Sequence, residues 1–244
     1  MRILGVYNIK GGVGKTATAV NLAYLAAAEG RRTLVWDLDP QAAATFYFRI
    51  KPRVKGGKKV VRGKIDLDEV VKGTDFENLD LLPSDFSYRN LDLLLGDSKK
   101  PTLQLLRLLR PLADEYDLVV LDCPPSISLV SENIFRAADA LVVPTIPTTL
   151  SLRTLTQLLD FMEGHILDTP VYYFYSMSDR RKRMHQQVMA HHGDPRARVL
   201  DSHIPYLSDV EKMGFERAPV PAFAPRSPAA HAYEALWEEV KRLL

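Results

Sequence analysis

The segment Lys10-Gly11-Gly12-Val13-Gly14-Lys15-Thr16 constrains this chain most, because it directly follows the apolar run Ile3-Leu4-Gly5-Val6-Tyr7. A strand that turns through a glycine-rich loop into a helix is a phosphate-binding arrangement. The glycines let backbone N–H groups converge on phosphate oxygens without interference from Cβ atoms. Lys15 is expected to neutralise the β- and γ-phosphates of a nucleoside triphosphate, and the Thr16 hydroxyl to ligate Mg²⁺. The following helix points the positive end of its dipole at the same anion. Its apolar positions Ala19, Leu22, Ala23, Leu25 and Ala26 share a face, and Gly30 is a natural residue just past its end. These features predict a nucleotide site at Gly11, Gly12, Val13, Gly14, Lys15, Thr16 and Ala17.

Further along, Leu118-Val119-Val120-Leu121 reads as a strand buried on both faces. Asp122 stands at its carboxyl end, where an acid serving Mg²⁺ belongs. Pro124 and Pro125 end that strand and stiffen the turn. Ala140 to Thr145 and Val171 to Tyr175 read as two more strands. Strands that alternate with helical patterns predict an α/β fold: a doubly wound, mainly parallel sheet with helices on both faces. The 244 residues, without repeats or a Gly/Ser/Pro-rich spacer, fit a single domain spanning 1–244.

Composition excludes several classes. One cysteine rules out an internal disulfide framework, and Cys123 reads as a packing residue. His185, His191 and His192 lack convincing metal-ligand partners and read as an exposed helix end. No apolar run is long enough to span a bilayer, and Met1 nearly begins the first strand, so a cytoplasmic protein is expected. Net charge is only +2, but its distribution is uneven. Arg49, Lys51, Arg53, Lys55, Lys58, Lys59, Arg62 and Lys64 occur without an acid among them. Interrupted by Gly56, Gly57 and Gly63, this stretch reads as a flexible basic loop or hairpin. A second cluster, Arg180-Arg181-Lys182-Arg183, reads as a helix start, where cations oppose the dipole. Each cluster fits a phosphate-backbone contact or a solvated basic face equally well.

With lysines at both 10 and 15, the loop resembles the deviant Walker A box of the ParA/MinD family of P-loop ATPases. The resemblance covers nearly the whole chain. Thr33 to Gln41 resembles the family's second strand and switch I (37–41), and 118–125 its Walker B strand and switch II. Ile204-Pro205, then Pro219 to Pro228, then the last helix, resemble its C-terminal third. The resemblance implies ATP and Mg²⁺ as cofactors, and a homodimer in the ATP state whose Lys10 reaches the partner's phosphates. It implies that Asp39 orients or activates the attacking water, which needs an acceptor near the γ-phosphate. By the same resemblance Asp37 supports the Mg²⁺ region, and adenine lies near Ser176 and Pro205. Capping of the next helix is the other reading of Asp37 and Asp39.

Branches of the family differ in partner. ParA-type proteins bind DNA without sequence preference and are released when a ParB-like adaptor on the cargo stimulates slow hydrolysis to ADP and phosphate. Such cargo is a plasmid, a chromosome or another assembly, and the protein is then nucleoid-associated. MinD-type proteins grip membrane through a C-terminal amphipathic helix. Here Ala232 to Leu244 coincides with the family's final core-packing helix, and Glu234, Glu238 and Glu239 disfavour an anionic membrane. No membrane partner is expected. A metal-cluster carrier needs a paired-cysteine motif, which is absent. Arg181 matches a DNA-contacting arginine of ParA-type proteins, and Arg180, Arg183 and Arg226 are expected to extend the basic face. Asp209, however, stands where the resemblance calls for an arginine, and a carboxylate repels phosphates. An ATP-dependent protein-interaction switch without DNA is therefore the second reading, and a small-molecule kinase or ligase the third.

Overall fold

The computed structural model describes residues 1–52, 57–84, 86–190 and 193–244, with the backbone alone at 57 and 58. Its sheet contains β1 (Arg2–Val6), β2 (Thr33–Asp37), β3 (Lys72–Gly73), β4 (Leu79–Leu82), β5 (Leu118–Asp122), β6 (Ala140–Thr145), β7 (Val171–Ser178) and β8 (Arg198–Pro205). The spatial order is β3-β4-β2-β5-β1-β6-β7-β8. All neighbours are parallel except β3 and β4. β1 therefore lies between the half built from β2 to β5 and the half built from β6 to β8. Open α/β sheets bind ligands at such a crevice, outside the carboxyl ends of the strands.

The α-helices are α1 (Lys15–Ala28), α2 (Ala43–Tyr47), α3 (Gly57–Val61), α4 (Leu91–Gly96), α5 (Gln104–Leu109), α6 (Leu129–Ala137), α7 (Thr149–Gly164), α8 (Arg183–Ala190), α9 (Ser208–Glu216), α10 (Val220–Phe223) and α11 (Pro228–Val240). Alternate residues of each strand feed two cores, as the pleat requires. Leu4, Val6, Val35, Val120 and Phe174 pack with α1 and α11, while Tyr7, Trp36, Leu121, Val143 and Tyr173 pack with helices on the other face. The predicted face of α1 is buried at Ala19, Leu22, Ala23 and Ala26, with Leu25 partly so. The helix ends before Gly30, whose φ of +86° is the left-handed turn that glycine accepts. Ser128, Thr148 and Ser227 cap α6, α7 and α11 through their hydroxyls.

Two sequence readings change. Among the described residues, the basic segment 49–64 is not wholly a loop: α3 lies within it, because Val60 and Val61 supply an apolar anchor that is buried in the core. Arg53 and Lys55 lie outside the described residues, as do His191 and His192. His185 is not an exposed helix end; it is buried, and its Nδ1 accepts from the Asp179 N–H at 3.1 Å. As the sequence predicts, the second basic cluster stands at a helix start: Arg183 opens α8, and Lys182 precedes it with its carbonyl accepting from the Gln186 N–H at 3.2 Å.

Candidate nucleotide site

The loop from β1 to α1 turns through Gly12 and Gly14, with φ of +71° and +91°. The backbone angle at Gly14 favours glycine, and a Cβ there would also approach Ser176 Oγ tightly, at 3.1 Å. A Cβ on Gly11 or Gly12 would meet nothing within 4 Å, which leaves open space in front of the loop amides. Val13 is fully buried and anchors the turn from below, while Ala17 lies buried in the first turns of α1. Lys15 is also buried, and its ammonium donates to the Lys10 carbonyl at 3.1 Å. Burial lowers its pKa, and the negative charge of Asp122 opposes that shift.

Asp122 ends β5 directly opposite Asp37 of β2 and Val6 of β1. It is fully buried, and neither carboxylate oxygen has a hydrogen-bond partner. Burial and the adjacent Asp37 push its pKa well above the usual carboxylate range, against the influence of Thr16 and Lys15. An orphaned buried carboxylate is costly and calls for a ligand. Asp122 and the Thr16 hydroxyl are hard oxygen donors, and Mg²⁺ is typically held by one or two carboxylates plus phosphate oxygens and water. This donor set therefore fits Mg²⁺ beside a bound triphosphate. Among the described residues no group of three or more His, Cys, Asp or Glu forms a metal site by itself.

Asp37 is equally buried but is occupied. Its Oδ2 accepts from the Thr45 N–H at 2.8 Å and the Thr45 hydroxyl at 2.7 Å, and its Oδ1 from the Asp39 N–H at 3.2 Å. Burial raises its pKa despite these bonds. Asp39 is half-buried, and its Oδ1 accepts from the Gln41 N–H at 2.9 Å. Both acids thus cap the backbone that follows them, and of the three only Asp122 has every carboxylate lone pair unused.

Two supporting residues were missed in the sequence. Asn8 is buried; its Nδ2 donates to the Pro144 carbonyl at 2.8 Å, and its Oδ1 accepts from the Lys10 N–H at 2.9 Å. It fixes the loop entrance to β6. Thr45 relays Asp37 to the end of β4, since its hydroxyl also accepts from the Ser84 N–H at 2.9 Å. An amide just before a glycine loop was the one available signal, for Asn8; nothing local marked Thr45.

The predicted adenine residues lie at the same sheet edge. Ser176 is buried against the phosphate loop, and Pro205 ends β8 opposite Ser178. Arg181 is 91 % exposed at its side chain, and Asp179 accepts from its Nε and Nη2 at 3.1 and 3.2 Å. That guanidinium holds the Asp179 carboxyl at about 2. Arg180 and Arg183 are exposed, as is Arg226 just before α11. The carboxyl end of α11 meets that of α1 through the Lys241–Glu29 pair at 2.8 Å. The start of α11, and Arg226 with it, therefore lies toward the phosphate-loop end. Asp209 is paired with Lys212 at 2.8 Å. The apolar face of α11 (Ala230, Tyr233, Leu236, Trp237, Val240) is buried in the core, and no described helix is long and apolar enough to cross a membrane.

Known proteins share this architecture. The AAA domain family profile matches residues 1–168. The sporulation initiation inhibitor protein Soj of Bacillus subtilis is 30 % identical over 248 residues, which cover 98 % of each chain. The chromosome partitioning protein ParA of Caulobacter vibrioides is 31 % identical over 261 residues, covering 98 % of this chain and 94 % of that one. Among solved structures, cobyrinic acid a,c-diamide synthase from Mycobacterium smegmatis with bound ADP and magnesium superposes with a TM-score of 0.82 at 26 % identity. That match covers 99 % of this chain and 94 % of the synthase. With a two-lysine phosphate loop and an unpartnered acid at the end of β5, this chain belongs to the ParA/MinD family of P-loop ATPases.

Proposed function

We propose that this chain is a single-domain, cytoplasmic cargo-positioning ATPase. It dimerises on ATP, binds DNA without sequence preference, and lets go after a ParB-like or other adaptor stimulates hydrolysis to ADP and phosphate. The observation that carries this reading is the open two-lysine loop facing the orphaned Asp122 carboxylate. The loop amides and the start of α1 receive the phosphates, and Lys15 exchanges the Lys10 carbonyl for phosphate oxygens. Thr16 and Asp122 would hold Mg²⁺, which withdraws charge from the β- and γ-phosphates. Asp37 keeps switch I in place through Thr45, and Asp39 accepts a hydrogen bond from the attacking water. Ser176 and Pro205 flank the base.

Lys10 from each subunit closes a two-fold dimer over the nucleotides. Replacing Lys10 with alanine is expected to abolish the ATP-dependent dimer while leaving monomeric nucleotide binding within about threefold. Light scattering with a nonhydrolysable analogue checks this, and a dimer of normal stability removes Lys10 from the role.

Dimerisation also brings Arg180, Arg181, Arg183 and Arg226 of both subunits to one groove, which makes DNA affinity depend on ATP. Asp179 does not disqualify Arg181, because so exposed an ion pair contributes little and exchanges readily for phosphate. Reversing charge at Arg181 and Arg183 together is expected to weaken duplex binding at least about tenfold. The same change should flatten its salt slope by about 2, one unit per lost phosphate contact. Unchanged binding moves the interface elsewhere.

A second reading, a protein-interaction switch without DNA, is favoured by Asp209 and Glu211, carboxylates in the first turn of α9 that repel phosphates. Binding to nonspecific duplex DNA with ADP, ATP and a nonhydrolysable analogue, across a salt series, separates the two. Binding confined to triphosphate states with a steep salt slope supports the first reading. A triphosphate-induced dimer that ignores DNA supports the second. The synthase-like neighbour makes product analysis the companion measurement, since a switch ATPase yields ADP and phosphate alone.

A further inference from the structure

Tyr7 follows β1 directly and is fully buried, with its ring edge-on to Phe135 at 4.7 Å. A phenylalanine would fill that core position equally well, so the hydroxyl requires a separate explanation. It donates to the Ser126 carbonyl at 2.8 Å, within the segment that joins Asp122 to α6. That segment is short and carries Pro124 and Pro125, with a tight turn from the Ser126 N–H to the Pro124 carbonyl at 3.0 Å. Its far end is fixed by Ser131, whose hydroxyl donates to the Ser128 carbonyl and accepts from the Ser128 N–H. Ser131 also neighbours the Tyr7 hydroxyl. The residue after Tyr7 is Asn8, which holds the Lys10 N–H. Two consecutive residues at the end of β1 thus grip the phosphate-loop entrance and switch II.

We propose that Tyr7 is a positioning residue whose phenolic hydroxyl couples the phosphate-loop strand to switch II, and so sets the hydrolytic step rather than nucleotide binding. A bond from a buried side chain to the backbone of a moving segment restricts where that segment rests. Without it, the Pro124–Ser128 segment is held at Ser128 but free to drift at Ser126, and the groups around Asp122 lose their fixed distance from the phosphate loop. The kinetic consequence rests on the ATPase reading above; the structural consequence does not.

The test is Tyr7→Phe, which preserves the ring contact with Phe135. In the nucleotide-free protein, exchange of the Ser126 amide, which closes the turn onto Pro124, is expected to rise at least about tenfold, with Ser128, still held by Ser131, and β6 unchanged. ATP turnover is expected to fall at least about fivefold in kcat with KM within about twofold. Ser126→Ala keeps the carbonyl and is expected to change neither measurement. Ser131→Ala, which frees the other end of the same segment, is expected to raise exchange there as well. Unchanged exchange at Ser126 with kcat within twofold of the parent overturns the proposal, as does a uniform rise in exchange across the sheet. If the parent protein hydrolyses no ATP, the ATPase reading fails, and the exchange result still decides whether Tyr7 is the latch.

Discussion

Asp122→Asn is expected to raise the melting temperature of the nucleotide-free protein by about 4–8 °C at pH 8, while cutting Mg²⁺-dependent ATP turnover at least about 100-fold. The two effects have one cause. Asp122 is fully buried and neither of its oxygens is hydrogen-bonded, and the nearby Lys15 ammonium and Thr16 offset its charge only in part, since burial and Asp37 still hold its pKa well above the carboxylate range. Removing an unpaired buried charge is worth about 2 kcal/mol, and for a chain of this length each kcal/mol moves the transition by about 2–4 °C. The pH dependence has a definite sign. Burial and Asp37 raise the folded-state pKa of Asp122 above the unfolded carboxylate value of about 3.9. Its protonated form therefore stabilises the fold fully below that unfolded value, and this contribution is lost as pH rises through the folded value. The advantage of the asparagine variant should then grow as pH rises through the folded-state value and vanish at low pH, where the wild-type carboxyl is neutral too. Thermal scans of both proteins across pH, with and without Mg²⁺-ATP, check this. Equal melting temperatures at pH 8 would show that Asp122 is already compensated in the nucleotide-free protein.

What could be read in the sequence was local. The phosphate loop, the uninterrupted apolar run of β5 with its terminal acid, and the face of α1 are each written within a short stretch, and the structure keeps them. The edge strands were not legible. Leu79–Leu82 carries Asp80 in its middle, and Lys72–Gly73 is too short to show any period. Nor was α3, whose two valines are hidden in a run of cations. The residues that hold the site together were invisible for a different reason. Asn8 reaches Pro144 and Tyr7 reaches Ser126, more than a hundred residues away along the chain, and only the sheet order brings them together. The same holds for the charges. Sequence grouped Arg49 with Arg62 as one basic stretch, whereas in space each turns to an acid of its own, Asp75 and Asp97.

Asp39→Ala is expected to lower kcat at least about 100-fold with KM for ATP within about threefold, the range lost when a positioned acceptor is removed from a proton-transfer step. The structure complicates that experiment in a useful way. Asp39 also accepts from the Gln41 N–H through its carboxylate, so alanine removes a backbone cap as well as an acceptor for water, while the backbone N–H of residue 39 still donates to Asp37. Asp39→Asn separates the two. Its Oδ1 can still cap Gln41, but the side chain no longer carries the negative charge that draws a proton from the attacking water. If Asp39 acts on water, asparagine is as slow as alanine, and both variants accumulate as long-lived ATP-bound dimers in single-turnover and sizing measurements. If Asp39 only shapes switch I, asparagine restores turnover close to the parent rate and alanine alone is impaired. Near-normal turnover in both variants would remove Asp39 from the reaction and leave hydrolysis to groups that the partner subunit brings to the site.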